Sequence, residues 1–150
     1  MDPLSGVSSV IAVISLALQL AGAARETKGL ICRIRDGPRE LERLQNQVDQ
    51  VFSISEGIRT VFEYWAQVSR TDFPIVLINV LEGLGGCERA LASLRLIVEE
   101  AKPMATGRGV LTRTWASLGL ARRRNDILDV ERRLGHAISL LNIAMTTSLM

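Results

Sequence analysis

Aromatic residues are scarce in this 150-residue chain, only 4% of the total, although 47% of its residues are hydrophobic. A core built from it must therefore be aliphatic. Proline occurs four times, and no segment alternates Val, Thr and aromatic residues with the two-residue period of a half-buried strand. Long helices remain. A domain of this length buries most of its apolar surface without covalent staples.

Cysteine and histidine are scarcer still. Cys32 and Cys87 lie far apart with no CxxC spacing, and the single histidine, His136, completes no standard metal-ligand set with them. Reduced, half-buried thiols are the expectation. His136 lies on an arginine-rich stretch without a nucleophile motif around it, so a half-exposed surface position is expected. Glu99 and Glu100, and the group Asp126, Asp129 and Glu131, have the spacing of solvated helix faces. Gly83, Gly85 and Gly86 lack both the preceding strand and the following Lys-Ser/Thr of a phosphate loop. These absences predict no catalytic residue, no metal, no cofactor and no small-molecule substrate, and the chain reads as non-enzymatic.

The net charge of +2 is small but unevenly placed. From Lys102 to Arg124 there are six basic residues and no acidic one. Such a segment suits an anionic partner, either lipid or a protein face, as well as a plain solvated connection. Specific nucleic-acid binding is not expected, because no aromatic interleaving or nucleic-acid fold signature accompanies Arg122, Arg123 and Arg124.

Pro3 to Ala24 is a run of 22 residues without a charge. As a helix it spans ~33 Å, close to the ~30 Å hydrocarbon core of a bilayer. Three readings compete. The triplet Ala21-Gly22-Ala23 suits a signal peptide, but Asp2 stands where a cationic start belongs. A permanent anchor fits poorly with so much Ser, Ala and Gly. The third reading is a bundle helix that can be released into a membrane. Leu4, Val7, Ile11, Ile14, Leu18 and Ala21 follow 3-4 spacing and form the expected core seam. Val10, Val13, Leu16 and Leu20 make other faces apolar as well, with Val13 expected to be less buried than the seam.

Beyond this run the punctuation is clear. Gly37-Pro38 stops one helix and starts the next, whose heptad seam is Leu41, Leu44, Val48, Val51, Ser55, Ile58, Phe62 and Trp65. Asp72-Phe73-Pro74 starts a third, with Asp72 as N-cap and the seam Leu77, Val80, Leu84, Cys87, Leu91, Leu94, Val98 and Ala101. Its glycine cluster predicts a kink or a close helix contact. A long connection from Met104 to Ala121, with a short helical turn around Trp115, precedes a last helix with the seam Ile127, Val130, Leu134, Ala137, Leu141 and Ala144, widened by Ile138 and Met145. The expected fold is an all-α, up-down bundle of about four long helices, at about 4–35, 38–68, 74–101 and 122–148, forming one domain.

Three blocks carry a family resemblance. The opening Met1-Asp2-Pro3-Leu4-Ser5, followed by the apolar helix Val7 to Leu20, resembles the start of the HeLo-like domains found at the N-termini of fungal STAND (NLR-like) receptors. The segment Asp36 to Val48 is similar to that family's second block, and Trp115 with the basic, Leu-rich stretch after it to the closing one. The resemblance implies a four-helix bundle acting in programmed cell death, as in heterokaryon incompatibility. On activation such a domain oligomerises and its first helix engages the plasma membrane from the cytoplasm. Partners implied are a second copy or a related helical domain of a STAND receptor. On this hypothesis Leu4, Val7, Ile11, Val13, Ile14 and Leu18 insert, while Gly6, Ser9, Ala17, Ala21 and Gly22 serve close helix contacts. Arg108, Arg113, Arg122, Arg123 and Arg124 hold anionic membrane lipids. The rival readings are a soluble interaction or adaptor module, in which the first helix never leaves the core, and an inactive remnant.

Overall fold

The 3-4 periodicity becomes four long α-helices in the computed structural model of the chain. It describes residues 3–67, 74–101, 114–115 and 118–148, with side chains over 9–67, 76–101, 114–115 and 118–146. They are α1 (Pro3–Cys32), α2 (Arg39–Gln67), α3 (Pro74–Glu100) and α4 (Arg124–Ser148), the last entered through a 3-10 turn at Leu120–Arg123. The fold is an all-α helical bundle, as the periodicity predicts. The only β-type pairing among the described residues is an isolated bridge between Arg35 and Thr114. Asp72, the expected cap of α3, lies outside the described residues.

The joint between α1 and α2 depends on two small features. Asp36 takes a positive φ of 58°, a conformation that Asp tolerates better than most side chains. At Gly37 a Cβ would run into the Leu41 side chain, so the glycine makes room for the first core leucine of α2. Across this joint the N–H of Trp115 donates to the Arg35 carbonyl at 2.8 Å, which pins the end of the long connection to the end of α1. Around Trp115 the N–H of Leu118 donates to the Thr114 carbonyl at 3.1 Å, and a 3-10 turn follows at Leu120–Arg123, where Gly119 supplies a φ of 65° and Leu118 and Leu120 are buried.

Helix α1 packs against α2 and α3, and α4 packs against the same two. Consecutive helices α2 and α3 therefore face each other across a diagonal, as do α1 and α4. Ion pairs fix the directions. Lys28 on α1 meets Asp49 on α2, so those two run antiparallel; Glu26 meets Arg95, so α1 and α3 run parallel. Arg43 and Glu131 do the same for α2 and α4.

All eight predicted seam residues of α2 are buried, including Ser55, whose hydroxyl donates to the Val51 carbonyl at 2.7 Å. That bond satisfies the one polar group in the seam. The seams of α3 and α4 are buried as predicted, except that Ala101 is only partly so. The glycine cluster does not break α3. A Cβ on Gly83 would stand 2.6 Å from Leu141 Cδ2, and one on Gly86 3.2 Å from the Ala137 Cβ. The close helix contact expected for these glycines forms, against α4.

The seam predicted for α1 is corrected. The buried residues are Val10, Val13, Ala17, Leu20, Ala24, Thr27, Ile31 and Ile34. This stripe has the same 3-4 spacing as the predicted one but is displaced by one residue, about 100° around the helix. Val13, expected to be less buried, is 0% exposed, whereas Ile11 is 57% and Leu18 50% exposed. Ala21 lies at the edge of the true seam and is buried. The side chains of Leu4 and Val7 lie outside the described residues.

Two predictions follow from this packing. Val13→Asp should unfold the bundle, as should Leu44→Asp and Leu91→Asp, each by several kcal/mol because an unpaired charge is buried; chemical denaturation reads this directly. Gly83→Val should lower stability by about 1–3 kcal/mol through overpacking against the fully buried Leu141. A Gly83→Val variant that melts with the parent would show that α3 and α4 can separate at no cost.

Candidate functional site

The solvent face of α1 has no charge over its first six turns. Ile11, Ala12, Ser15, Leu18, Gln19 and Gly22 are all exposed, and charges begin only at Arg25. Gly22, expected to serve a close helix contact, meets nothing within 4 Å. Ala17, by contrast, is buried in the core. By length and composition, Ser9–Cys32 is apolar enough to cross a membrane, and the same description fits a core helix near an N-terminus.

Viewed along its axis, the bundle has two unlike ends. Every pair of adjacent helices is joined by an ion pair at the end holding the C-terminus of α1. These are Lys28–Asp49 at 2.6 Å, Glu26–Arg95 at 3.3 Å, Arg43–Glu131 at 2.7 Å, Glu40–Arg124 at 2.6 Å and Glu100–Arg123 at 2.8 Å. The hydrogen bond to Asp49 and its charge raise the Lys28 pKa. The Glu40 carboxyl is lowered, first by a backbone hydrogen bond and then by Arg124. Among the described residues the interhelical ion pairs all lie at this end.

Towards the other end the surface carries exposed aliphatic and aromatic side chains, one large one on each helix: Ile11 on α1, Tyr64 on α2, Ile78 on α3 and Ile143 on α4. The ion-pair registers and the Gly83–Leu141 contact put these four within roughly two helical turns of one height. They form a belt around the bundle. Leu18 continues it along α1 towards the middle.

The sequence assigned a second group to the site, the basic residues before α4, and the fold does not bring it to the belt. Arg123 is paired with Glu100 and Asp126, and Arg124 with Glu40, at the ion-paired end. Arg122 is exposed beside them. Arg108 and Arg113 lie outside the described residues. Ile11 and Leu18 are thus separated from Arg122, Arg123 and Arg124 by much of the length of the bundle, on helices that share no extensive contact. The sequence showed both groups but carried no sign of their separation.

Other chemistry is spread out. No group of three or more His, Cys, Asp or Glu side chains is placed to hold a metal among the described residues. The cysteines are both free, but neither is half-buried as expected: Cys32 is exposed and Cys87 lies in the core. Burial pushes the Cys87 thiol up to about 12, which leaves it without a reactive thiolate at neutral pH. His136 is exposed and borders a groove between α3 and α4, with Arg89, Arg132 and Arg133 around it. A thiol-labelling reagent should therefore modify Cys32 alone in the folded protein and reach Cys87 only after denaturant is added, as mass spectrometry would count.

No family model matches the chain, and no curated protein and no solved structure matches it.

Proposed function

We propose that this chain is a non-enzymatic signalling bundle of the cell-death-execution kind, acting from the cytoplasm by self-association and by docking its apolar belt on a membrane. The observation that carries this reading is the belt itself: of the six large hydrophobic side chains that are exposed among the described residues, four, one per helix, lie in the half of the bundle away from the ion-paired end. Leu18 extends them along α1, and Leu96 alone stands at the ion-paired end. Scattered exposed hydrophobes are ordinary on a soluble protein, whereas a level ring beside a charge-free helix face suits an apolar boundary. The HeLo-like resemblance of the opening residues agrees with it.

The magnitudes separate docking from release of α1. Val10, Val13, Leu20 and Ile31 are almost wholly buried. At ~1.5–3 kcal/mol each, exposing them costs on the order of 6–12 kcal/mol, comparable with the whole stability of an ordinary domain. Docking through Ile11 and Leu18 requires no such loss. Insertion of α1, if it follows, requires lipid or another copy of the chain to receive the seam residues. Arg122 and its neighbours act on anionic lipid only as a separate contact, since they are far from the belt.

A second reading has its own support. The inward face of α1 makes the full set of core contacts expected of a permanent element, which favours a soluble adaptor module whose belt is covered by a related helical domain. Vesicles distinguish the two. Leu18→Asp and Ile11→Asp replace exposed residues, so their melting temperatures should stay near the parent's. On the membrane reading both variants lose binding to, and leakage from, phosphatidylserine-containing vesicles, because a charge at the depth of an apolar helix costs ~3 kcal/mol on insertion scales. Arg122→Glu should weaken vesicle binding more at low salt than at high salt if that arginine adds a lipid contact. A folded parent protein that ignores anionic vesicles even when concentrated would end the membrane reading in favour of the adaptor.

A further inference from the structure

Helices α3 and α4 approach so closely at Gly83 and Gly86 that the groove just outside this contact has no side chain on its α3 floor at position 86. The groove has a volume of 450 Å³, and polar side chains reach it from both walls: Glu82 and Arg89 from α3, and Arg132, Arg133 and His136 from α4. That volume is within the range of small-ligand sites, ~300–1,000 Å³.

The charges are incompletely matched. Arg132 and Arg133 share a single carboxylate, Asp129. Arg89 has no ion-pair partner among the described residues; its side chain runs back along α3 over Gly85, 3.3 Å from where a Cβ there would stand. Three arginines and a histidine thus line a groove whose one lining carboxylate is Glu82, with Asp129 holding Arg132 and Arg133 from outside it. Guanidinium groups bind tetrahedral oxyanions through forked, charge-assisted hydrogen bonds, and donors on two walls suit a ligand with acceptors on several sides.

We propose that this groove binds a small phosphate-bearing anion, with Arg89 on one wall and Arg132, Arg133 and His136 on the other as its donors. The shared chemistry is a phosphate monoester or diphosphate, either free in solution or as the headgroup of a phosphorylated lipid. The site involves neither α1 nor the belt, and it is a different set of residues from the arginines between 108 and 124. It therefore stands or falls independently of the membrane reading. Ligation would clamp α3 to α4 while leaving α1 free to respond elsewhere.

The test uses inorganic pyrophosphate as the probe, with isothermal titration calorimetry on the full chain. Saturable one-to-one binding is expected. Arg89→Ala and His136→Ala replace exposed residues and should weaken it, Arg89→Ala by about tenfold or more, as expected for loss of a charge-assisted hydrogen bond. Arg33→Ala, at an exposed arginine just beyond the C-terminus of α1, should leave it unchanged. Circular dichroism verifies that each variant is folded. Absence of saturable binding, or an equal loss in Arg33→Ala, overturns the proposal, because the interaction is then general attraction to positive charge. Vesicles of phosphatidylcholine with and without a phosphorylated phosphatidylinositol separate the two sources. Arg89-dependent binding to the phosphorylated vesicles supports the site with a lipid headgroup as its ligand. Arg89-dependent binding of pyrophosphate alone supports it with a soluble one.

Discussion

On α1 and α2 the buried stripe is little more than two residues wide per heptad, whereas Ala90 and Ile97 widen that of α3 to three, and much of what lies outside the core follows from how narrow the first two are. Two seam positions in seven leave most of a helix's circumference with no packing duty. On α2 the free surface is charged, with Arg59 held between Glu56 and Glu63. On the first part of α1 it is Ile11, Ala12, Ser15, Leu18 and Gln19, none of which the core requires. The fold is thus satisfied by the inner stripe alone, and the outer one is available for something else.

The same freedom lets charge separate along the bundle axis. Ion pairs between exposed side chains are worth little individually, ~0–1 kcal/mol. Their arrangement matters more than their sum. With at least one pair joining each set of neighbouring helices at the same end, that end is fixed in register, and Gln47 adds a hydrogen bond to the Glu131 carbonyl at 3.1 Å. The opposite end relies on side-chain packing, with Phe62 and Trp65 stacked at a tilt, 4.8 Å between ring centroids. A bundle so arranged is tied across its helices by charge at one end and by packing alone at the other.

Much of this was legible in the residues, and the exceptions have physical causes. Helices α2, α3 and α4 each carry one apolar stripe against polar faces, so their seams could be read directly. Helix α1 carries two equally apolar stripes over its first twenty residues, and periodicity there cannot choose between them. Its second half can. Continued by heptads, the stripe through Ile11 and Leu18 runs into Arg25, Lys28 and Arg35, whereas the stripe through Val10 and Val13 continues to Ala24, Thr27, Ile31 and Ile34. The charged half of the helix held the register of the uncharged half. Two further features needed the fold. The belt depends on the relative heights of four helices. The groove joins residues 82–89 to residues 132–140, which meet only because α3 and α4 run antiparallel.

The hydrogen bond from Trp115 to Arg35 joins two points far apart in the chain. It closes a loop of roughly 80 residues, and the entropic cost of closing such a loop grows only slowly with its length. Helices α2 and α3 both lie within that loop, so the tie is made once they have found their places. Its sequence separation puts it among the non-local contacts whose number slows a chain's folding. The short link between α1 and α2 allows that pair to associate first as a local hairpin. In the folded chain the connection fastens across the end of that pair, like a latch on a lid.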